Sequence, residues 1–534
     1  MATEEFDYII IGSGSAGSVV ADRLSSAGND RILVLEAGGQ DGNFWLRLPV
    51  GYFRAIYDPR FSRMFETLPS EGDGERGIVW PRGRIVGGSS SINGLIFIRG
   101  QKDDFDDWQQ MGAVGWSYDD VLPHFRALES CDLGDAAFHG RKGPLTVSPL
   151  RNANAACAAW LAAAQDYGLP YNPDFNGRTT YGVGAYQLSI GRRWRASAAV
   201  AFLRPALKRG NVALRTDAHV TRILVEQGRA VGVEYHGPSG TTTVRAAREV
   251  ILSAGSIQSP QILQLSGIGP ADHLRSLGIG VVSDSPEVGA NLQDHYQMRL
   301  IVRLNRKMSL NDDVRNPLKL ARMGADWLLA GKGPLTVGAG QVGGAACTSH
   351  AIGGRPDVQF NVMPLSVDKP GTPLHGYSGF TASVWQCHPE SRGQIRITSA
   401  DPLVQPEIAP RYFARDIDRK TIVEGVRMLR EINEHQPFRA LWDEEVVPGP
   451  AVSSDAQIWE SVRRGGGTVF HPVGTCRMGS DSASVVDPRL RVRGVDGLRV
   501  IDASVMPKIT SANTNAPTLM IGEKGASMVL ADRS

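Results

Sequence analysis

Residues 6–17 read FDYIIIGSGSAG, and residues 31–36 read RILVLE. The apolar run at 6–11 is typical of a buried β-strand that stops at a glycine. Apolar residues at helical spacing then continue to about Gly28, and residues 31–35 predict a second buried strand with Glu36 at its end. Strand, glycine-rich turn, helix, strand and acid follow one another within about thirty residues, which predicts a dinucleotide-binding βαβ unit.

The glycines of this turn have distinct physical roles in such a unit. Gly12 permits the tight turn, Gly14 lets the backbone approach a pyrophosphate, and Gly17 lets the helix pack closely against the strand. The amides at the helix N-terminus face the phosphates, where the helix dipole favours negative charge. Glu36 can accept hydrogen bonds from ribose hydroxyls. These features predict a bound dinucleotide, but they do not distinguish FAD from NAD.

The composition is that of a large globular enzyme. With 534 residues, 42% of them hydrophobic, the chain is long enough for two or more structural units. A net charge of +2 without long runs of like charge gives no sign of a nucleic-acid partner. The five cysteines are scattered without metal-ligand spacing, so we expect neither a disulfide framework nor a metal site.

The chain shows neither a secretory signal nor an apolar stretch long enough to span a bilayer. We therefore expect a cytoplasmic protein. Membrane association is at most peripheral, and contact with the inner membrane stays open.

A second segment of small residues, PRGRIVGGSSSING at 81–94, has apolar residues on both sides. Small residues let the backbone lie against a flat ligand. From Gly83 to Asp106 this region resembles the first signature of the glucose–methanol–choline (GMC) oxidoreductase family, and residues 255–269 resemble the second. The resemblance continues at NLQDH (291–295), HPVGTCRMG (471–479) and NTNAPT (513–518). The chain looks like the bacterial choline-dehydrogenase-type alcohol oxidoreductases.

The resemblance implies an α/β fold with a Rossmann-like FAD-binding domain and an α+β substrate-binding domain built on an antiparallel sheet. The FAD-binding domain would comprise residues 1–160, 201–300 and 464–534, and the substrate-binding domain residues 161–200 and 301–463. Alternating apolar residues at 358–362 and 393–397 predict half-buried strands, and residues 422–432 have helical spacing.

The resemblance also implies which residues bind FAD. Those assigned to the adenosine diphosphate end are Gly12, Ser13, Gly14, Ser15, Ala16, Gly17, Glu36 and Ala37. Those assigned to the flavin and its phosphates are Arg84, Val86, Gly87, Gly88, Ser91, Asn93, Gly94 and Leu95. The remaining cofactor residues are Val220, Ala254, Gly255, Asp502, Ala503 and Thr518. Relatives with covalent flavin carry histidine where this chain has Ile92, so we expect non-covalent FAD.

His471 is the predicted catalytic base. It follows an apolar pair and opens a turn-rich segment, and an imidazole has a pKa near 6.5, close to working pH. A second group must hold the charge that develops on the alcohol oxygen, and the resemblance implies Asn515. The helix that follows Asn515 would point its positive end at the flavin. We expect His219, His295 and His388 to be structural or surface residues.

The predicted function is FAD-dependent oxidation of a primary alcohol (aliphatic, aromatic or polyol) to a carbonyl. A dehydrogenase is favoured over an oxidase, and the electron acceptor is a quinone, an artificial dye or oxygen. Alternatives are a flavin-containing lyase that cleaves cyanohydrins, a choline-type dehydrogenase, and, less favoured, an NAD enzyme or a nucleotide-binding module. Where relatives often have tryptophan in an Asn-Trp-x-Phe segment, this chain has Arg63. The lost aromatic ring and the gained cation would disfavour a quaternary ammonium substrate if this position lines the pocket. The sequence does not give the alcohol or the oligomeric state.

Overall fold

The computed structural model describes residues 4–151, 153–369 and 371–533. The strands in chain order are β1 Glu5–Ile11, β2 Ile32–Leu35, β3 Ser62–Glu66, β4 Val79–Gly83, β5 Glu129–Cys131, β6 Leu145–Val147, β7 Gly182–Ala185, β8 Ile190–Gly191, β9 Trp194–Arg195, β10 Val212–Arg215, β11 His219–Glu226, β12 Arg229–Gly237, β13 Gly240–Leu252, β14 Ile268–Gly269, β15 Ser283–Asp284, β16 Tyr296–Leu304, β17 Val342–Ala346, β18 Val358–Met363, β19 Gly379–Gln386, β20 Gln394–Arg396, β21 Glu407–Ala409, β22 Trp442–Val447, β23 Gly467–Thr468 and β24 Leu498–Val500.

The α-helices in the same residues are α1 Ser15–Ser26, α2 Phe44–Arg47, α3 Tyr52–Ala55, α4 Lys102–Gln110, α5 Tyr118–Leu128, α6 Ala155–Asp166, α7 Arg204–Leu207, α8 Gly255–Leu265, α9 Ala271–Ser276, α10 Leu310–Asp313, α11 Pro317–Ala325, α12 Asp416–Glu434, α13 Asp455–Gly465 and α14 Asn515–Ala531. A π-helical turn, Asp326–Ala330, continues directly from α11.

The first large sheet carries the N-terminal βαβ unit. Its order is β10-β2-β1-β13-β12-β11, and β24 pairs with the end of β13. Strands β10, β2, β1, β13 and β24 run parallel, whereas β11 and β12 form an antiparallel extension. Helices α1 and α14 contact each other. The carboxyl ends of the parallel strands therefore meet at one edge, where folds of this type bind ligands.

The second large sheet is antiparallel, in the order β17-β18-β19-β16-β22, with β23 paired to β16. Helices α12 and α6 pack against it. The predicted half-buried strand at 358–362 is instead buried on both faces, because its apolar residues pack in the core while Asn361 and Met363 face a cavity. The other predicted strand, at 393–397, appears as β20, which pairs only with β21 in a separate two-stranded sheet.

Each large sheet has its own hydrophobic core. The predicted fold class, a Rossmann-like α/β part with an antiparallel-sheet part, is confirmed. The predicted residue boundaries between the two domains stay a prediction. Across the described residues, none of the helices combines the length and the hydrophobicity needed to cross a bilayer.

Candidate active site

A cavity of about 990 Å³ is lined by residues from both large sheets. From the first sheet come the carboxyl ends of three parallel strands, represented by Ile11, Leu35 and Ser253. From the second come side chains such as Gln297 and Asn361. The cavity thus extends from the predicted nucleotide loop to the predicted substrate region.

The nucleotide end of the cavity is built from two glycine-rich segments in direct contact. A Cβ added to Gly12, which has a φ of +99°, would lie 2.5 Å from the carbonyl oxygen of Ser253. A Cβ added to Gly88 would lie 2.7 Å from the Cα of Gly14. The first amides of α1 are not capped by a side chain. This bare backbone is suited to a pyrophosphate, which accepts hydrogen bonds from free amides.

Glu36 lies at the same end and is held by the loop. Its Oε2 accepts hydrogen bonds from the amide (3.0 Å) and hydroxyl (2.6 Å) of Ser13, and its Oε1 accepts one from the amide of Gly38 (2.8 Å). Burial raises the pKa of its carboxyl, while these hydrogen bonds oppose the shift. Oε1 retains lone-pair capacity, so the carboxylate can also accept a ribose hydroxyl.

Most of the predicted cofactor residues line this cavity. They are Gly12, Gly14, Ser15, Ala16, Glu36, Ala37, Gly88, Asn93, Gly94, Leu95, Val220, Ala254, Gly255, Asp502, Ala503 and Thr518. The predicted base His471 and Ile92 line it as well. These residues come from segments far apart in the chain and fit a long dinucleotide.

Six predicted cofactor residues do not line the cavity: Ser13, Gly17, Arg84, Val86, Gly87 and Ser91. Ser13 binds Glu36, and Gly17 packs against the turn at Gly12. Arg84 is exposed and donates to the carbonyl of Ala37 (3.2 Å). Val86, Gly87 and Ser91 bond one another or the first glycine loop. These six lie behind the wall of the cavity, and their role in cofactor binding stays a prediction.

The His471 ring sits in a chain of three hydrogen-bonding groups. Its Nδ1 lies 3.0 Å from Nδ1 of His295, and Nε2 of His295 lies 3.0 Å from the carbonyl oxygen of Cys387. Because a carbonyl only accepts, His295 must carry its proton on Nε2 and present a bare Nδ1. His471 must then donate its own Nδ1–H. The lone pair of His471 is consequently on Nε2, on the opposite side of the ring.

The surroundings of His471 also keep it neutral. Burial, together with the neighbouring His295 and the positive charge of Arg82, lowers the pKa of His471 well below its usual value. Burial likewise lowers the pKa of His295 to about 4. Both rings are therefore uncharged at neutral pH, which is the form in which an imidazole accepts a proton.

The backbone of His471 is fixed separately from its ring. Its amide donates to Oδ1 of Asp294 (2.8 Å), whose Oδ2 accepts from the hydroxyl groups of Thr468 (2.6 Å) and Tyr412. Arg82 donates to the carbonyl of Phe470 (2.8 Å). Burial raises the pKa of Asp294 to about 6. Two consecutive residues, Asp294 and His295, thus hold the main chain and the ring of the same histidine.

The side chain that meets His471 is Asn513, which corrects the predicted partner. Nδ2 of Asn513 lies 3.1 Å from Nε2 of His471. Asn515 also lines the cavity, but its Oδ1 accepts a hydrogen bond from Ser15 (2.7 Å) across to the glycine loop. Asn515 begins α14, whose first amides have no side-chain cap and open into the cavity. Its position fits cofactor binding rather than pairing with the base.

The other predicted structural histidines divide into three cases. His295 is buried as expected, but it orients the base, a role that sequence reasoning missed. The motif NLQDH at 291–295 could have pointed to this role, because it is one of the segments that resemble the GMC family. His388 is partly buried and lies outside the cavity wall. His219 lines the nucleotide end, and its ring faces the carbonyl of Pro402 (3.3 Å).

The substrate end of the cavity carries two arginines. Arg82 and Arg299 both line it, with Asp294 as the acidic group that acts on Arg82 and Asp368 as one that acts on Arg299. Burial lowers the pKa of Arg82 to about 10 and also lowers that of Arg299, although neighbouring acidic groups oppose both shifts. Both stay protonated at neutral pH. The cavity is thus electropositive beside the base.

Arg63, in contrast, does not line the cavity. Its guanidinium lies over the ring of Phe65, 4.8 Å from the centroid, and donates to the carbonyl of Leu403 (3.4 Å). Its neighbour Met64 faces the cavity instead, because successive side chains of β3 alternate. The condition under which Arg63 would act on the substrate is therefore not met, and the basic residues that line the cavity include Arg82 and Arg299.

A group of potential metal ligands lies away from the cavity, at Glu129, Cys131 and His139. Nδ1 of His139 is 2.8 Å from Glu129, and its Nε2 is 2.9 Å from Asp174. Arg99 pairs with the same Glu129 (2.8 Å). Both ring nitrogens are thus engaged by carboxylates, and the cluster is an ion-pair network rather than a set of free ligands.

Comparison with known proteins places this geometry among flavin enzymes. Two family models, both described as GMC oxidoreductase, match residues 6–297 and 389–522. An alcohol dehydrogenase (acceptor) from Pseudomonas putida is 39% identical over 531 residues, with 98% of this chain and 96% of that protein covered. An oxygen-dependent choline dehydrogenase from Brucella suis biovar 1 is 39% identical over 530 residues, with the same coverage.

The chain also resembles solved structures over its full length. A variant of formate oxidase from Aspergillus oryzae RIB40, studied for modification of its FAD, superposes with a TM-score of 0.92 at 26% identity. That alignment covers 100% of this chain and 99% of the other.

Proposed function

The chain belongs to the GMC oxidoreductase family, and from that premise we propose a mechanism in which His471 and Asn513 activate an alcohol. The protein is an FAD-dependent oxidoreductase that acts on alcohols. The observation that carries the mechanism is the hydrogen-bond chain from Cys387 through His295. This chain leaves Nε2 of His471 without a proton, so that it can accept one from a group in the cavity.

His471 accepts the hydroxyl proton in this proposal. The alcohol O–H takes the place that Nδ2 of Asn513 now occupies at Nε2 of His471. The ring becomes an imidazolium with both nitrogens protonated, and its Nδ1–H stays bound to His295. A positioned base of this kind contributes about 100- to 10,000-fold to a rate.

Asn513 holds the oxygen as its negative charge develops. Its amide nitrogen carries two hydrogens, so it can donate to the alcohol oxygen once the substrate displaces the contact with His471. Arg82, which binds the carbonyl of Phe470 beside the base, adds a positive charge on the same side. An imidazole alone is too weak a base to form a free alkoxide, so these donors must lower the energy of that charge.

The cavity fits FAD in the ways described: bare amides at two helix N-termini, a buried carboxylate and touching glycine loops. When bound, FAD supplies the acceptor for the hydride that leaves the carbinol carbon. The residues that would hold it are the predicted cofactor residues that line the cavity, from Gly12 in the first glycine loop to Thr518 in α14.

We propose that the FAD is held without a covalent bond. Ile92 is buried and lines the cavity at the position where covalent relatives carry histidine, and its aliphatic side chain cannot form that bond. Precipitation of the protein with acid should release the flavin into the supernatant. Flavin that stays with the precipitate would contradict the proposal.

Asn513 and Asn515 form a matched pair for testing the alcohol-binding role. Asn513→Ala should lower kcat/KM by about 10- to 1,000-fold through loss of a donor to the developing charge. Asn515→Ala should act mainly on the amount of FAD retained, because its contacts lie with the glycine loop. Equal losses of kcat/KM in both FAD-loaded variants would refute the assignment of Asn513.

We propose that the substrate is an uncharged or anionic primary alcohol. A choline-type dehydrogenase is the second candidate, since a relative that is 39% identical carries that name. The cations Arg82 and Arg299 disfavour it, because like charges repel in a partly desolvated cavity. The aliphatic, aromatic and polyol classes all remain within the proposal.

We further propose a cytoplasmic dehydrogenase that passes electrons to a quinone, with a dye or oxygen as the alternative acceptors. The decisive experiment mixes the FAD-loaded enzyme with a panel of alcohols, including choline, without oxygen, and follows bleaching of the flavin absorbance. A quinone or oxygen is then admitted and reoxidation is timed. Bleaching by none of the alcohols would refute alcohol oxidation and leave the cyanohydrin lyase, and bleaching by choline alone would establish the second candidate.

A further inference from the structure

The segment that contains α11 has an unusual surface for a helix on a folded protein. Of the nine residues of α11, only Met323 is buried, and none of the five residues in the π-helical turn after it is buried. Leu318 is 83% exposed, Leu329 79% and Leu328 58%. A surface helix normally turns its apolar stripe toward the core. Here Leu318, Ala321, Ala325 and Leu329, at helical spacing, face away from it.

Aromatic side chains continue this apolar surface beyond the helix. The ring of Trp327 packs edge-on against those of Trp194 (4.9 Å) and Phe44 (5.9 Å). Phe44 is 48% exposed. The three rings join α11 to residues 44–54 and 192–194. We call the surface formed by residues 44–54, 192–194 and 312–332 the docking face.

The docking face is strongly basic. Its residues include eight Arg or Lys and three Asp, a net charge of +5, whereas the whole chain carries +2. Several of the arginines lie beside the aromatic rings: Arg47 over Trp194 (5.1 Å) and Arg54 over Trp45 (4.2 Å). Such a combination of exposed leucine, tryptophan and surrounding cations is typical of segments that lie in the plane of a membrane interface.

We propose that the docking face binds the surface of an anionic lipid bilayer. The leucines enter the boundary between headgroups and acyl chains, the tryptophans lie at headgroup depth, and the basic residues pair with lipid phosphates. Charge complementarity selects this occupant, because a second copy would bring another net positive face against the first. The face also adjoins the active site, because its residue Phe53 lines the cavity and packs against the buried cluster of Leu310, Leu365 and Val367.

The test uses the FAD-loaded full chain and cosedimentation with two kinds of vesicle. One contains phosphatidylglycerol and phosphatidylcholine in equal parts, and the other phosphatidylcholine alone. We expect the protein to sediment with the anionic vesicles and less with the neutral ones, and high salt should lower binding to the anionic vesicles only. Wild-type protein that stays in the supernatant with anionic vesicles would overturn the proposal.

Two sets of substitutions separate the apolar contribution to vesicle binding from the electrostatic contribution. L318S/L328S/L329S should lower the partition coefficient by about tenfold or more, since three exposed leucines no longer enter the bilayer. R47E/R322E/K332E should lower binding to anionic vesicles and leave binding to neutral ones little changed. The matched control is I352S/L403S, which removes two other exposed side chains (84% and 62%) and should bind as the wild type does.

Alcohol-dependent bleaching of the flavin should be unchanged in L318S/L328S/L329S, because these side chains are outside the cavity wall. Vesicle binding is thus independent of the proposed reaction. Equal loss of binding in I352S/L403S and L318S/L328S/L329S would overturn the proposal. So would a change of L318S/L328S/L329S from dimer to monomer in sedimentation equilibrium without vesicle binding by the wild type, which would assign the face to a second copy.

Discussion

Two buried histidines of this protein are held in opposite protonation states. His139 lies between Glu129 and Asp174, with Arg99 on the same glutamate. Although burial opposes its charge, hydrogen bonds to its partners, first among them Asp174, raise the pKa of His139 to about 11. His471 is equally hidden from water, but its neighbours are another histidine, an amide and an arginine.

The neighbouring groups, rather than burial, therefore decide whether a buried imidazole is protonated and whether it can accept a proton. A histidine between two carboxylates is a permanent cation and serves as a structural link. A histidine whose neighbours are neutral or positive keeps a lone pair and can take a proton. The first arrangement stabilises the fold away from the cavity, and the second forms the proposed base within it.

The largest expected effect comes from removing the neutral histidine. In His471→Ala we expect kcat/KM for the best alcohol of the panel to fall by about 100- to 10,000-fold, because no other group near the substrate can accept the proton. Steady-state kinetics on FAD-loaded enzyme checks this. The matched control is His219→Ala, a cavity histidine at the nucleotide end, which should retain most of the kcat. A variant without His471 but with full activity would remove the base from the mechanism.

The next largest effect comes from removing the charge of a carboxylate beside the protonated histidine, His139. Glu129→Gln leaves His139 and Arg99 facing an uncharged amide, and the free energy of unfolding should drop by about 3–5 kcal/mol. Thermal unfolding of the FAD-loaded protein checks it. Glu226→Gln, which breaks the exposed pair with Arg245, should lower the unfolding temperature far less than Glu129→Gln does. If Glu129→Gln lowered kcat without lowering stability, the two sites would not be separate.

Much of the nucleotide end could be predicted because its pattern is local. Strand, glycine turn, helix and acid lie within one short segment, and β1, α1 and β2 appear where the pattern predicts them. The partner of the base could not be fixed in this way. Residues 507–514 have no regular period, so nothing in the sequence distinguishes Asn513 from Asn515, two positions apart.

His295 escaped prediction for a different reason. Its partner His471 is 176 residues away, and only the pairing of two loops brings the rings together. The double burial of β18 has a similar origin. Its alternating pattern indicates one polar face, but that face meets the cavity rather than bulk solvent. Contacts between distant segments decide both features, so the residues around His295 and within β18 do not show by themselves which groups they meet.

A smaller effect is expected when a carboxylate is introduced beside the base. His295→Glu gives His471 the kind of neighbour that His139 has, so the pKa of His471 should rise. The base must be neutral, and the acid limb of kcat/KM against pH should therefore move to higher pH. His295→Gln keeps a hydrogen-bond acceptor without the charge and should leave the limb near that of the wild type. Coincident profiles for Glu and Gln would contradict this account.

The smallest expected effect is on the pH dependence of stability. His471 and His295 have lowered pKa values, so the unfolded chain binds more protons and stability falls as pH drops below about 6.5. Each histidine contributes at most about 1.4 kcal/mol per pH unit. The raised pKa of Asp294, about 6, acts in the opposite direction between about pH 4 and 6.

Urea unfolding of the wild type and of His295→Gln between pH 7 and pH 5 isolates this contribution, because Asp294 is common to both. The wild type should lose stability more steeply. His139 affects both proteins alike. Its stabilising effect is complete below about pH 6.5, where the unfolded chain is protonated too, and it declines from there until it is lost near pH 11. Equal slopes for the two proteins would assign the pH dependence to other groups.

The hydrogen-bond chain behind the base has a closed end. It stops at the main-chain oxygen of Cys387, which accepts a hydrogen bond but cannot relay a proton further. In the proposed reaction, the proton on His471 therefore has a single exit, back through Nε2 into the cavity. The base cannot be reset while the carbonyl product covers it.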